Sequence, residues 1–325
     1  MSELALIERI AARAKRRAGT ELGIGDDAAL LTVGGTAVVT QDLLVEGVHF
    51  RRATTGFRDL GHKALAVNLS DLAAMAAEPI AAFVGLVLAP GVADGEVDEI
   101  YAGMEALAAR HAVTVAGGDV SSGPALVLAV TAVGRAAAGI DPVRRSGGRP
   151  SDVLCVTGAL GAAAAGFLLL ERPELGAGIP GPVAQRLRAA QLRPEPRLAA
   201  GRALARCGAR AMMDVSDGLG LDALRMAQAA GLRAAIELDA LPVAEGVAEI
   251  AAAEGRDATT LATSGGEDYE LLVALAPEDV DAARRAVPCP LTPVGRLERG
   301  DPGLHALDAA GAVVELDIAG WEHDV

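Results

Sequence analysis

Short apolar stretches alternate with longer segments of helical periodicity in the first part of the chain. The periodicity predicts helices over residues 2–18, 57–77 and 94–110. The apolar stretches predict strands over residues 28–33, 36–44, 80–89, 113–115 and 126–133. The second helix is expected to end before Pro79, because the residue before a proline avoids helical backbone angles.

The same alternation continues after a segment rich in glycine and proline, residues 136–152, and we place a domain boundary between residues 138 and 139. Strands are then predicted over residues 153–156, 210–213, 234–237, 269–274 and 291–296. Helices are predicted over residues 161–170, 183–190, 196–207, 219–230, 247–254 and 277–287. Such alternation indicates an α/β or α+β fold, and the length of 325 residues fits two domains.

Composition excludes several classes of function. Acidic residues outnumber basic residues by 43 to 29, a formal net charge of −14. A broad basic surface for nucleic acid or for an anionic membrane is therefore not expected. Cys155, Cys207 and Cys289 lie far apart, which argues against a zinc site or a disulfide framework. No segment has the pattern of a secretory signal, so we expect a cytoplasmic protein.

Three glycine-rich segments are similar to phosphate-binding loops in their glycine spacing or in their position before a helix. Residues 56–61 have the glycine spacing of a P-loop, but His62 follows where that pattern requires lysine. Residues 23–25 begin like a dinucleotide-binding fingerprint, but two aspartates come next and would repel a pyrophosphate. Residues 158–161 follow a strand and open a helix, and either a tight turn or anion binding at the helix start would explain them.

Aspartates near strand ends and in turns are the strongest chemical signal. They are Asp27, Asp42, Asp119, Asp214 and Asp217. Each one taken alone is explained as well by a role in a turn or a helix cap. Together with the hydroxyls of Thr40, Ser70 and Ser216 they form a set of hard oxygen donors that suits Mg²⁺. An acidic pocket holds a polyphosphate only when divalent ions lie between the charges.

Asp71 is the one charge in a helical segment, residues 64–77, that is apolar on nearly all sides. Such a helix is expected to be buried. A buried carboxylate is protonated, paired or bound to a metal. A salt bridge to a distant arginine or lysine and metal coordination therefore remain as alternatives. Asn68 lies one turn earlier on the same face.

Nine blocks of the sequence, in order, resemble the bacterial and archaeal thiamine-monophosphate kinases. More distantly they resemble the ATP-binding superfamily of aminoimidazole-ribonucleotide, formylglycinamidine and selenophosphate synthetases and a hydrogenase-maturation protein. The blocks are residues 23–30 (GIGDDAAL), 40–50 (TQDLLVEGVHF), 63–79 (KALAVNLSDLAAMAAEP), 117–124 (GGDVSSGP), 145–147 (RSG), 192–198 (LRPEPRL), 214–219 (DVSDGL), 264–271 (SGGEDYEL) and 320–323 (GWEH). The blocks at 40–50, 264–271 and 320–323 favour the thiamine-monophosphate branch.

The resemblance implies an aminoimidazole-ribonucleotide synthetase-like fold, α/β with α+β character, in which each of two domains has a mixed sheet with packed helices. The N-terminal domain, residues 1–138, would bind metal and ATP and form a homodimer through its sheet. The C-terminal domain, residues 139–325, would complete the ATP and substrate site. The implied activity is ATP-dependent phosphorylation of thiamine monophosphate to thiamine diphosphate, with several Mg²⁺ ions and with ATP as co-substrate.

Site residues are implied by their positions in the matched blocks. The implied Mg²⁺ ligands are Asp27, Thr40, Gln41, Asp42, Asp71, Asp119, Asp214 and Asp217. The implied ATP contacts are Tyr101, Gly118, Arg145 and Ser216, and the implied thiamine-phosphate contacts are His49, Glu267 and Trp321. Gln41 stands where the family often has serine or threonine, so only its amide oxygen or its backbone carbonyl is available to a metal there.

The chemistry of the implied reaction agrees with the residues. The acceptor is itself a phosphate that is ionised at pH 7, so no general base and no covalent nucleophile is assigned, and direct in-line transfer is expected. One alternative is another ATP-using synthetase of the superfamily; the first cysteine, Cys155, comes too late for a selenophosphate synthetase. The other is a non-enzymatic acidic metal-binding protein, although Ca²⁺ modules concentrate their ligands within one loop.

Overall fold

Two structural units make up the chain in the computed structural model, which describes residues 3–24 and 28–315. The N-terminal unit comprises Met1–Leu72 and Ala77–Ala138, and the C-terminal unit comprises Ala73–Ala76 and Gly139–Val325. Each unit has a mixed sheet with packed helices, which confirms the predicted fold class. No helix in the described part of the chain is long and apolar enough to cross a membrane.

The N-terminal unit is built on a sheet with the strand order β3–β6–β4–β5. Its helices are α1 (Glu3–Arg13), α2 (Phe57–Ala74) and α3 (Asp94–His111). Its strands are β1 (Thr20–Leu22), β2 (Leu30–Leu31), β3 (Ala37–Val45), β4 (Ala77–Leu88), β5 (Thr114–Ser122) and β6 (Val127–Ala136). β4 and β5 run parallel, joined by α3, whereas β6 is antiparallel to both β3 and β4. β1 and β2 pair separately.

Helices α2 and α3 cross closely at two glycines. A Cβ atom on Gly61 would lie 1.8 Å from the carbonyl oxygen of Ile100, and one on Gly103 would lie 1.8 Å from the carbonyl oxygen of Arg58. Only glycine fits at either position. Gly61 of the P-loop-like spacing therefore serves helix packing.

The junction between α2 and β4 differs from the prediction. The helix ends at Ala74 rather than at residue 77, and Ala76 has a left-handed φ of 57°. β4 then includes Pro79, and its pairing with β6 shifts register between Pro79 and Ala81. A proline lacks the N–H that a regular ladder requires, and this irregularity accommodates it. The helix was predicted too long because the apolar residues of α2 run directly into those of a buried strand.

The C-terminal unit has a sheet with the strand order β13–β12–β9–β11–β7–β10–β8, in which only β12 and β9 pair in parallel among the described strands. Its strands are β7 (Val153–Thr157), β8 (Ala211–Asp214), β9 (Arg233–Glu237), β10 (Leu271–Leu275), β11 (Leu291–Glu298), β12 (Gly303–Leu307) and β13 (Val313–Val314). Its helices are α4 (Ala162–Glu171), α5 (Gly181–Leu192), α6 (Leu198–Arg206), α7 (Leu219–Ala230), α8 (Val247–Ala253), α9 (Ala258–Ser264) and α10 (Val280–Ala286).

The core of the C-terminal unit includes two clusters. One contains β-strand residues such as Val156 and Leu272 together with Met226 of α7. The other forms where α4, α5, α8 and α9 meet, around Leu187 and Leu261. Helix α9 and strands β1, β12 and β13 were not predicted from the sequence.

Candidate functional site

Two predicted oxygen donors, Thr40 and Asp71, meet between β3 and α2 in the N-terminal unit, and a third, Asp42, lies on the same face of β3. Thr40 and Asp42 are two residues apart on β3 and therefore project from the same face of the sheet. The Thr40 hydroxyl donates a hydrogen bond to the Asp71 carboxylate on α2. Asp71 is half-buried, although Ser70 and Leu72 beside it are fully buried. The predicted buried carboxylate is therefore corrected to one at the margin of a buried helix, where Thr40 is one of its partners.

Gln41 lies between these donors on β3 and projects from the opposite face, because side chains alternate along a strand. Its side chain is exposed, and it pairs across the sheet with Thr131. Its amide oxygen is thus separated by the sheet from Thr40 and Asp42. Of the two groups of Gln41 that were predicted as ligands, only the backbone carbonyl remains a candidate.

Gly118 and Asp119 lie within β5, which extends to Ser122, and not after a strand as predicted. A Cβ atom on Gly118 would lie 2.0 Å from the carbonyl oxygen of Val84, so this close approach of β4 and β5 requires glycine. Across the sheet, Gly118 of β5 pairs with Val84 of β4. Val84 in turn pairs with Val130 of β6, which pairs with Asp42 of β3. Asp119 falls in the next row, with Gly85, Ala129 and Leu43, and therefore on the opposite face of the sheet from Thr40 and Asp42.

His49 and Tyr101 are the remaining described candidates of the N-terminal unit. His49 lies in the turn after β3, and its Nδ1 accepts a hydrogen bond of 3.0 Å from the backbone amide of Val45. Tyr101 lies on α3 with 6% of its surface exposed, and burial raises the pKa of its phenol. Tyr101 would therefore reach a nucleotide only through a small exposed part of its side chain.

Asp214 ends β8 in the C-terminal unit, and Ser216 and Asp217 follow in a short loop before α7. Asp214 is buried, whereas Ser216 and Asp217 are half-buried. This loop, residues 215–218, is here called the Ser-Asp loop. The strand β8 and the helix α7 fix the two ends of this loop.

Two residues that were not predicted hold the Ser-Asp loop from α7. One carboxylate oxygen of Asp222 accepts hydrogen bonds from the backbone amides of Ser216, at 3.0 Å, and Asp217, at 3.1 Å. Arg225 donates to the other oxygen of Asp222 and to the carboxylate of Asp217. Burial raises the pKa of Asp222 to about 6, and the negative charge of Asp217 adds to this rise while the amides and Arg225 oppose it.

A second loop, residues 265–269, precedes β10 and pairs with the Ser-Asp loop. The amide of Glu267 donates to the carbonyl of Ser216 at 2.7 Å, and the amide of Tyr269 donates to that of Val215 at 2.9 Å. This second loop is here called the acidic loop. Since Asp214 and Leu271 are paired in the sheet, the two loops leave it side by side. The structure thereby brings Asp214, Ser216, Asp217 and Glu267 together.

The backbone of the acidic loop is strained at two side-chain-bearing residues. Glu267 has a φ of 68° and Tyr269 a φ of 50°, both in the left-handed region that favours glycine. The Glu267 carboxylate accepts a hydrogen bond of 2.6 Å from Gln191, a buried residue of α5. Strain of this kind persists only where surrounding contacts impose it, and it concentrates at functional sites.

The other two acidic residues of the block 264–271, Asp268 and Glu270, form contacts within the fold. Asp268 accepts hydrogen bonds from the amides of Gly161 and Ala163 at the start of α4. The helix start that was a candidate anion site therefore already binds a carboxylate of the chain itself. Glu270 is buried, pairs with Arg197 through both of its oxygens, and accepts a hydrogen bond of 2.6 Å from Thr157.

These six anchoring residues were missed by sequence reasoning. They are Gln191, Arg197, Asp222, Arg225, Asp268 and Glu270. The signal that could have found three of them is their position inside matched blocks, at 192–198 and 264–271. Gln191, Asp222 and Arg225 act through contacts that only the folded chain reveals.

Three predicted site residues remain. Arg145 lies in a 3₁₀ turn, Arg145–Gly147, and is exposed. Asp27 and Trp321 lie outside the described residues. They stay predictions from the sequence.

The donor set fits Mg²⁺ by its chemistry, because it consists of carboxylates and a hydroxyl. Among residues 3–24 and 28–315, no three acidic, histidine or cysteine side chains lie together closely enough to hold a metal ion by themselves. Mg²⁺ commonly uses only one or two carboxylates and completes its shell with substrate phosphates and water. Pairs of donors such as Asp71 with Thr40 satisfy that requirement.

Comparisons with known proteins agree over both units. Residues 25–136 match the family model of the AIR synthase related protein N-terminal domain, and residues 149–303 match that of its C-terminal domain. A thiamine-monophosphate kinase of Rhodopirellula baltica is 34% identical, covering 99% of this chain and 97% of the relative. One of Mycobacterium tuberculosis is 38% identical, covering 84% and 80%.

Solved structures show the same similarity. The crystal structure of a thiamine-monophosphate kinase from Stenotrophomonas maltophilia K279a has a TM-score of 0.83 and 38% identity, covering 97% of this chain and 98% of that one. A structure of AaThiL complexed with AMPPCP and TMP has a TM-score of 0.77 and 27% identity, covering 99% and 96%.

Proposed function

This chain belongs to the thiamine-monophosphate kinase family of AIR synthase related proteins, and from that membership we infer that it phosphorylates thiamine monophosphate to thiamine diphosphate with ATP. The observation that carries this conclusion is identity of 32–34% to relatives of that name over 99% of the chain. The AaThiL complex with AMPPCP, an ATP analogue, and TMP supports the same pair of substrates.

The test is ADP formation with a panel of acceptors. We expect rapid ADP release with thiamine monophosphate and none above background with aminoimidazole-ribonucleotide precursors or with selenide. Preferential turnover of one of those alternatives would assign the chain to another branch of the superfamily. Metal binding without any ADP release would support a non-enzymatic role.

Mg²⁺ is proposed as the cofactor. The proposed ligands of the N-terminal unit are Thr40, Asp42 and Asp71, and those of the C-terminal unit are Asp214 and Asp217. When bound, Mg²⁺ would neutralise phosphate charge and align donor and acceptor. In the C-terminal unit, the two paired loops would orient Asp214, Asp217 and Glu267. Asp27, Asp119 and the Gln41 carbonyl stay in the proposed set because of their positions in the matched sequence blocks.

Direct transfer follows from the chemistry of the acceptor. Its phosphate is ionised at neutral pH and needs only alignment and charge neutralisation. Glu267 and His49 are proposed to contact the thiamine phosphate. Ser216, Gly118, Arg145 and Tyr101 are proposed to contact ATP. Incubation with γ-labelled ATP and Mg²⁺ but no acceptor should leave the protein unlabelled. Covalent label that moves into product on addition of thiamine monophosphate would contradict direct transfer.

A homodimer is proposed through the open face of the N-terminal sheet. Val39 and Leu43 on the edge strand β3 are 61% and 51% exposed, and the face continues through Thr131 to Phe83. Exposed apolar surface on an edge strand is a typical site of association. Light scattering should give twice the mass of one chain. Leu43→Glu should give monomers, whereas Phe167→Glu, a change at an equally exposed residue of α4, should leave the dimer intact.

The cytoplasm is the proposed compartment, because it supplies ATP and the reducing conditions that suit free cysteines. Cys155, Cys207 and Cys289 are all free thiols.

A further inference from the structure

Asp222 is a fully buried carboxylate to which no role in the reaction has been given. It lies in the first turn of α7, and its side chain turns back toward the residues that precede the helix. Taking a carboxylate out of water is unfavourable unless hydrogen bonds and a cation compensate for the loss. Here two backbone amides and Arg225 provide that compensation, and all three belong to the Ser-Asp loop or contact it.

The contacts of Asp222 fix the backbone of two candidate site residues. The amides of Ser216 and Asp217 both donate to one oxygen, Oδ2, so neither peptide plane can rotate without breaking a charge-assisted bond. The carbonyl of Ser216 in turn accepts the amide of Glu267. One buried carboxylate therefore supports the Ser-Asp loop directly and the acidic loop through it.

Arg225 extends this support to a side chain. Its Nη1 donates to Asp222 at 3.2 Å and also to the carboxylate of Asp217. A single guanidinium nitrogen thus links the buried acid to the half-buried candidate ligand. Asp217 is therefore held at two points. Its backbone amide donates to Asp222, and its carboxylate accepts from Arg225.

We propose that Asp222 and Arg225 are positioning residues for the bound nucleotide, setting the geometry of Ser216 and Asp217 without touching the substrates. This inference rests on the proposed function, since it assigns Ser216 and Asp217 to the ATP and metal site. Removing such outer-shell partners typically lowers affinity or activity by about 10–100-fold.

The chain offers a matched control at Asp152. It is also fully buried, it accepts the amide of Arg149 at 2.7 Å, and it pairs with Arg210 at 2.5 Å. It precedes Val153, which pairs with Leu275 at the opposite end of β10 from Asp214. A change at Asp152 breaks the same kinds of bond, but at a place about four residues, or roughly 13 Å, along the sheet from Asp214.

The experiment compares Asp222→Asn with Asp152→Asn in the full-length protein. Both should lower the melting temperature. Only Asp222→Asn should lower kcat/KM for Mg·ATP by about 10–100-fold, with Asp152→Asn within twofold of wild type. In the protein without ligands, hydrogen exchange at the amides of residues 216 and 217 should rise at least tenfold in Asp222→Asn alone. Equal kinetic losses in both variants, or wild-type kinetics in Asp222→Asn, would overturn the proposal.

Arg225 provides a second test if Asp222→Asn does not fold, because its side chain is partly exposed. Arg225→Gln should raise KM for Mg·ATP about tenfold with little change in melting temperature, and Arg225→Lys should recover much of that loss. An unchanged KM in Arg225→Gln would count against positioning. Wild-type protein that forms no ADP with thiamine monophosphate would refute the proposed function instead, while the exchange measurement would still report on Asp222.

Discussion

Individual carboxylates divide into two kinds in this protein. Asp71 is half-buried and accepts a hydrogen bond from the hydroxyl of Thr40. Asp222 and Glu270 are buried and bind arginines and backbone amides within the fold. The sequence identified Asp71 because it is the one charge in an apolar helical segment. It did not identify Asp222 and Glu270. Glu270 binds Arg197, which is distant in sequence, and the contacts of Asp222 with nearby residues form only when the loop before α7 folds back onto the helix.

Asp71→Asn should reduce turnover by more than about 100-fold while the fold is retained. The amide keeps the size of the side chain and its bond to Thr40 but removes the negative charge that a metal ligand needs. Steady-state kinetics over a range of Mg²⁺ concentrations and a melting curve test this. Near-normal activity at low Mg²⁺ would show that Asp71 is not a ligand.

Cys155 should titrate far above the usual range, because burial raises the pKa of its thiol to about 12. An unfolded cysteine ionises near pH 8.5, so the native state holds this proton more tightly. Its contribution to stability is complete below pH 8.5 and is lost as the pH rises toward 12. Cys155→Ala should flatten the fall in unfolding free energy between pH 9 and 11. A slope equal to that of wild type would contradict the assignment.

At the scale of elements, the sheet order could not be read from the sequence, whereas the alternation of strands and helices could. The strands β8 and β10 are neighbours although α7, β9 and two further helices separate them in the chain. That pairing joins the Ser-Asp loop to the acidic loop. The boundary of α2 was misjudged because local pattern does not distinguish a helix from a buried strand when both are apolar.

The buried ion pair between Arg197, just before α6, and Glu270, just before β10, should be a main determinant of stability in the C-terminal unit. Glu270→Gln leaves Arg197 without its buried charge partner, and breaking such a pair costs about 3–5 kcal/mol. Glu245→Gln breaks an exposed pair with Arg186 and should cost less than about 1 kcal/mol. Urea unfolding of the two variants compares them directly. Similar losses of unfolding free energy in the two variants would mean that burial does not strengthen the Arg197–Glu270 pair.

At the scale of the whole molecule, the candidate donors are distributed over both units. Thr40, Asp42 and Asp71 belong to the N-terminal unit, and Asp214 and Asp217 belong to the C-terminal unit. An acidic chain with a net charge of −14 repels ATP unless cations intervene. The aspartates and the negative net charge together predict that nucleotide binding depends on a divalent ion.

Mg²⁺ with ATP should raise the melting temperature, and EDTA should remove most of that rise. A ligand at about 100 times its Kd adds about 2.7 kcal/mol to the unfolding free energy. Differential scanning fluorimetry with ATP alone, ATP with Mg²⁺ and ATP with EDTA gives the comparison. An equal shift from ATP in the presence of EDTA would argue against metal-dependent binding.

The left-handed backbone at Glu267 makes stability and activity respond differently to a change at this residue. Glycine would relieve roughly 1 kcal/mol of strain there, which about offsets the loss of the hydrogen bond from Gln191, but it would remove a carboxylate proposed to bind the acceptor. A library screened only for heat resistance should therefore tolerate Glu267→Gly. The same library, grown in cells that depend on this chain for thiamine diphosphate, should retain glutamate. Equal survival of glycine under both regimes would mean that the side chain has no part in catalysis.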